Sequence, residues 1–137
     1  NNAANCNAYG RLYDWQTALT ACPSGWHLPS DAEWHELIAF LGGQPVAGGK
    51  MKSTTGWSSP NAGATNSSGF SGLPGGYRNG NGEFSQIGYF GRWWSSREEE
   101  NPYTSKRNTL SYTWGGFQVG DQDLIHTFGL AVRCIKD

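Results

Sequence analysis

The residue types best suited to contact chemistry crowd into the last third of the chain. Tyr103, Lys106, Arg107 and Asn108 stand in one strand-rich stretch, and Asp121, Asp123 and His126 follow it. Rigid rings, guanidinium groups and amides make strong contacts at low entropic cost, so this set reads as a ligand-binding surface with Glu98 and Asn101 at its rim. Aromatic faces also suit the apolar faces of sugar rings. Asp121-Gln122-Asp123 resembles the opening of a calcium loop. The EF-hand pattern then fails, because His126 stands where glycine is needed and no Glu occupies the twelfth position. No cofactor is expected, and a looser calcium site built on Asp121, Asp123 and backbone carbonyls stays open as the alternative.

Catalytic patterns are missing. No G-x-S-x-G is present, and Gly75-Gly76 and Gly80-x-Gly82 lack the following helix and lysine of a phosphate cradle. Glu98-Glu99-Glu100 reads as a solvated turn, since a glycosidase needs two carboxyls held across a cleft. His27 falls in the packing segment Trp26-His27-Leu28-Pro29, His35 on a half-exposed helix face, and His126 in a loop. No enzymatic activity is expected. Asn66-Ser67-Ser68 is a formal glycosylation sequon.

The elements that must position the contact residues follow from periodicity. Asp14 can cap a short helix whose Trp15, Ala18, Leu19 and Cys22 share a face. Ser30 and Glu33 form a capping box for a second helix, with Trp34, Leu37, Ile38 and Leu41 on its apolar side and Gly42-Gly43 as a left-handed stop. From Met51 to Phe70 the chain reads as a long structured loop anchored by Trp57 and Phe70. Strands are expected at Phe84–Ile87, Gly91–Ser96, Tyr103–Trp114, Phe117–Val119 and Leu130–Ile135, with type I′ turn chemistry in Asn79-Gly80-Asn81-Gly82. Alternation along Tyr103–Trp114 places Leu110, Tyr112 and Trp114 inward, and Ser105, Lys106, Arg107 and Asn108 outward. Tyr112 and Trp114 can also be read as sheet core. Two helices followed by short strands make an α+β domain.

Composition bounds the rest. The chain has 137 residues with ten Lys plus Arg against eleven Asp plus Glu, which leaves no basic footprint for nucleic acid. No apolar run is long enough to insert into a membrane. Its 20 glycines and 7 tryptophans describe a loop-rich domain in which large rings supply burial, with Trp15, Trp26, Trp34 and Trp94 as scaffold. The start at Asn1 without Met reads as one domain, 1–137, excised from a longer chain with neighbouring domains. Cys6, Cys22 and Cys134 fit either one disulfide and a leftover thiol or three buried thiols. The favoured pair is Cys22 with Cys134, and a low-charge, Gly- and Asn-rich surface favours a secreted setting.

Several segments together resemble the Fibrobacter succinogenes major paralogous domain family. They are Tyr9-Gly10-Arg11-Leu12-Tyr13-Asp14-Trp15, the run from Ala21 through Cys22-Pro23-Ser24-Gly25-Trp26-His27-Leu28-Pro29 to Trp34, Gly69-Phe70-Ser71-Gly72-Leu73-Pro74-Gly75-Gly76-Tyr77-Arg78, Trp93-Trp94-Ser95-Ser96, and the ending Val132-Arg133-Cys134-Ile135-Lys136-Asp137. The resemblance implies a bacterial surface or secreted protein without established enzymatic activity. It also implies a C-type lectin-like fold of two N-terminal helices, a long loop region and short antiparallel strands. In that fold a cysteine at the end of the first helix joins one in the last strand, which is where Cys22 and Cys134 stand. The calcium-dependent sugar motifs of C-type lectins are absent, since Glu100-Asn101-Pro102 has the wrong order and no Trp-Asn-Asp occurs.

The expected function is a non-enzymatic extracellular or cell-surface module that recognises a glycan or protein ligand through its long loops and late hairpin. Three alternatives accompany it. One is a structural module decorating a filament or secreted complex. Another is a hypervariable receptor diversified over residues 97–126. The third is a relative of the formylglycine-generating enzymes, which a Cys22–Cys134 bridge would leave with Cys6 alone.

Overall fold

The structure, a computed structural model, describes residues 2–98 and 103–137, with the backbone alone for Arg97, Glu98 and Asp121. It is an α+β arrangement with four helices rather than two among the described residues: α1 (Ala3–Tyr9), α2 (Trp15–Ala18), α3 (Asp31–Phe40) and α4 (Gln44–Met51). Asp14 caps α2 by accepting from the Thr17 amide, but only one turn forms before the chain leaves the helix. The capping box of α3 is complete, with the Ser30 hydroxyl on the Glu33 amide and the Glu33 carboxylate on the Ser30 amide. Gly42 and Gly43, both at positive φ, close it; the Gly43 amide returns to the Ile38 carbonyl.

Helix α4 was hidden by its own glycines, which ordinarily weaken a helix. Close packing requires them. A Cβ on Gly48 would stand 1.8 Å from the Gly116 carbonyl oxygen, and one on Gly49 would stand 2.2 Å from that of Gly63. The backbones approach nearer than any side chain allows, so tertiary contact overrides local propensity.

Among the described residues seven strands form three antiparallel sheets: β1 (Trp26–His27) with β7 (Ile135–Lys136), β2 (Tyr77–Arg78) with β3 (Phe84–Ser85), and a central sheet of β4 (Phe90–Glu98), β5 (Thr104–Ser111) and β6 (Trp114–Ile125). Trp93 and Trp94 are neighbours in β4, so the pleat sends their rings to opposite faces. One core gathers Trp34, Ile38, Leu41, Ala47, Met51, Leu110 and Phe117 around Trp93, and the other sets Trp15, Ala18, Leu28 and Leu130 around Trp94. Their polar ring edges are also used: Trp94 Nε1 donates to the Tyr13 carbonyl at 2.8 Å, and Trp15 Nε1 to that of Ser95 at 2.9 Å.

The long loop is held as expected by Trp57, whose Nε1 donates to the Gly72 carbonyl, and by Phe70, which packs edge-on to Trp34 and Trp93. A third anchor is Lys52. Its side chain is fully buried, and Nζ donates to the carbonyls of Ala62, Ser111 and Trp114 at 2.7, 2.8 and 2.9 Å. Burial pulls its pKa down to about 8, so at neutral pH the ammonium is still charged and joins the loop to the tip of the β5–β6 hairpin.

Cys22 and Cys134 form the disulfide, spanning a sequence separation of 112, and Cys6 is an exposed free thiol. The bridge is compatible with a secreted or extracellular protein. Among the described residues no helix is long and apolar enough to cross a membrane. His27, expected in a packing segment, is instead a clasp. Its ring nitrogens lie 2.6 Å from Asp137 and 2.8 Å from Glu33, and these two hydrogen bonds raise its pKa above the ordinary 6.5.

Three other expectations are corrected. Trp26 is 44% exposed and is no part of the scaffold core, because the two-residue β1 leaves it at the surface. The Asn79–Gly82 turn is not type I′, since positive φ falls at Gly82 and not at Gly80; the loop returns through a hydrogen bond from the Asn79 amide to the Glu83 carbonyl. The stretch Tyr103–Trp114 is two strands, because the chain reverses at Tyr112-Thr113 and pairs Ser111 with Trp114. Tyr112 and Trp114 are accordingly both partly exposed, neither wholly inward.

Candidate functional site

The register of β5 on β6 assembles the predicted contact residues. Thr104 pairs with Ile125, Ser105 with Leu124, Lys106 with Asp123 and Arg107 with Gln122. Cross-strand neighbours of this kind share a face and interact directly. Lys106 Nζ meets Asp123 Oδ1 at 2.5 Å, and Arg107 Nη2 donates to Gln122 Oε1 at 2.7 Å. Tyr103 stands just before β5, 72% exposed, and its carbonyl accepts from the His126 amide just past the exposed Ile125 that ends β6. Tyr103, Lys106, Arg107 and Asp123 are thus brought to one end of the hairpin. Gln122 and Ile125 join them, a pairing that follows from the register and that no single-strand pattern displays.

One predicted contact residue is placed inside, and His126 is tied into the scaffold. Asn108, expected outward, is fully buried. Its amide donates to Ser95 Oγ at 2.9 Å and accepts from the Gly120 amide at 3.1 Å. The sheet register slips on both sides of it, between Trp94 and Glu98 in β4 and between Arg107 and Thr109 against β6. One polar side chain fills the space that two irregular neighbours leave, and each of its polar atoms finds a partner. Ser105, also expected outward, is buried for a related reason. Its hydroxyl lies 2.9 Å from His126 Nε2, and the His126 ring stacks on Trp15 with centroids 4.2 Å apart. Asn101 lies outside the described residues, and of Glu98 and Asp121 only the backbone is described.

A serine hydroxyl on a histidine nitrogen is the geometry of an activated nucleophile. Here Ser105 has no exposed surface, so a substrate cannot reach its oxygen. The pair works as a structural bolt between the end of β6 and α2, aided by the Trp15 amide on the His126 carbonyl. Among the described residues no group of three or more His, Cys, Asp or Glu is placed to hold a metal ion, and the Asp123 carboxylate is engaged by Lys106.

The hairpin's open end presents one exposed phenol ring, an apolar Ile125, and charged groups held in cross-strand pairs. The Lys106–Asp123 pair is largely solvated, so it orients more than it stabilises. The family described as the Fibrobacter succinogenes major domain matches residues 1–136 of the chain. No curated protein and no solved structure matches it.

Proposed function

The chain belongs to the Fibrobacter succinogenes major domain family, and on that premise we propose that it is a non-enzymatic extracellular binding module with a C-type lectin-like arrangement. The observation that carries this reading is the open end of the β5–β6 hairpin. There Tyr103 is largely exposed while Lys106 and Arg107 are fixed in position by Asp123 and Gln122. Such groups are pre-organised for a glycan or protein surface, because little side-chain freedom remains to be lost on contact. The lectin-like arrangement is supported by the disulfide from the segment after α2 to the residue before the last strand and by a long loop lying between helices and hairpin.

Tyr103→Ala combined with Arg107→Ala should remove binding on an array of bacterial surface glycans and secreted proteins while leaving the melting temperature unchanged. Loss of fold would reassign both residues to the scaffold. If the array is silent and sedimentation shows concentration-dependent self-association that the double variant abolishes, the face belongs to an assembly module instead.

A further inference from the structure

A concavity elsewhere on the molecule shares no residue with the open end of the β5–β6 hairpin. It is a cleft of about 220 Å³ walled by the N-terminal segment, the stretch around Leu73 and Gly75, the edge of β4 and residues Ala131 to Arg133. Arg11, Arg92 and Arg133 line it, three of the six arginines of the chain, and no Asp or Glu is among its lining residues. On a chain whose formal net charge is -1, the exposed Arg11 and Arg133 give this cleft a positive rim. Positive groups in a low-dielectric recess focus the field and raise the local concentration of anions.

Two of the three arginines are fixed by aromatic rings. The Arg92 guanidinium lies 4.6 Å from the Tyr77 ring centroid and 4.8 Å from that of Phe90, and the residue is only 8% exposed. Arg133 lies 4.3 Å over Phe70 and spends one of its donors on the Phe70 carbonyl. Arg11 is exposed and completes the wall from the N-terminal side. Guanidinium groups bind carboxylate and sulfate oxygens through parallel, charge-assisted hydrogen bonds.

The cleft shares Tyr9, Gly10, Arg11 and Gly75 with a larger groove of about 870 Å³ that runs between α1 and Phe84. That groove presents the amides of Asn2, Asn5 and Asn7 beside the rings of Tyr9 and Phe84, again with no carboxylate. Amides both donate and accept, which matches sugar hydroxyls, and its volume lies in the range of ligand sites. Helix α1, which is capped by the Asn2 side chain and buries no residue of its own, forms one wall of the groove.

We propose that this cleft and groove bind an acidic polysaccharide, with a carboxylate or sulfate group seated between Arg11 and Arg133, the buried Arg92 forming the wall behind them, and adjoining sugar units along α1. The site stands or falls separately from the hairpin face.

Isothermal titration with oligogalacturonate, a carrageenan oligosaccharide, neutral galactan oligosaccharide and polyglutamate tests it. At least one of the two acidic sugars should bind, more weakly as salt rises, and which one binds identifies the anionic group. Arg11→Ala should weaken that binding about tenfold, the size expected for one charge-assisted contact, and Arg11→Lys should restore part of it. Arg133→Gln should act in the same direction; should it lower the melting temperature, the exposed Arg11 decides alone. Tyr103→Ala with Arg107→Ala should leave this binding unchanged. The proposal is overturned if neither acidic sugar binds, if neutral galactan binds equally, if Arg11→Ala has no effect, if the hairpin variant abolishes binding, or if polyglutamate binds as tightly through Arg11, which would make the ligand an acidic peptide.

Discussion

At its closed end the β5–β6 hairpin buries Leu110 and Phe117 completely in the core built on α3 and α4, whereas at its open end Tyr103 and Ile125 stand 72% and 53% exposed. One ladder thus serves two purposes. At the closed end each atom is fixed by volume, down to backbone against backbone at Gly48 and Gly116. At the open end side chains are held by partners across the ladder, Lys106 by Asp123 and Arg107 by Gln122. Asn108 marks the division, because beyond it the sheet register slips and the core no longer covers the strands. Contact residues can therefore change at one end without disturbing the packing at the other.

The largest expected effect tests the closed end. Gly48→Ala forces a methyl group into the Gly116 carbonyl, and the helix must move off the strand. A loss of about 4 kcal/mol or more in urea unfolding is expected, or failure to fold. An unchanged midpoint would show that α4 and β6 are not in such close contact. Lys52→Met comes next. It leaves the carbonyls of Ala62, Ser111 and Trp114 without their donor and should cost on the order of 3 kcal/mol, with hydrogen exchange rising first around Ala62 and the Ser111–Trp114 turn. Faster exchange in α3 instead would mean that the lysine supports the core and not the loop.

A smaller effect is confined to the β1–β7 clasp. Because His27 has its pKa raised in the folded protein by Asp137 and then Glu33, its contribution is full below the unfolded value near 6.5 and is lost as pH rises through the folded value. Amide shifts of Ile135 and Lys136 should therefore titrate above pH 6.5, and His27→Gln should remove the titration. The smallest stability effect belongs to the open end, where Tyr103→Ala with Arg107→Ala should change unfolding by about 0.5 kcal/mol or less. A larger cost there would erase the distinction between the two ends.

Local signals in the sequence were read correctly where local physics decides the outcome. The Ser30–Glu33 capping box, the Asp14 cap, the Gly42-Gly43 stop and the anchoring of the loop by Trp57 and Phe70 are all of this kind. The Cys22–Cys134 pairing was legible because the family pattern and the cysteine arithmetic agreed. What was hidden depends on residues far apart in the chain. Helix α4 carries two glycines that only Gly116 and Gly63 explain. The reversal at Tyr112-Thr113 has neither glycine nor proline in its two central residues, so one strand was expected where two exist. Asn108 looked like a contact residue because nothing in its own strand reveals the slips in β4 and β6 that enclose it. The arginine cleft was invisible for the same reason, since Arg11, Arg92 and Arg133 are separated by most of the chain and only the fold brings them to one recess.

Three carbonyl oxygens converging on one positive charge is also a donor set suited to a hard metal cation. In this domain the charge at that position arrives on the side chain of Lys52. The loop's anchorage consequently has a fixed stoichiometry of one and no dissociation constant. It cannot be diluted away, exchanged for a competing ion or stripped by a chelator. A module exposed to surroundings of changing mineral content would keep the same loop geometry throughout.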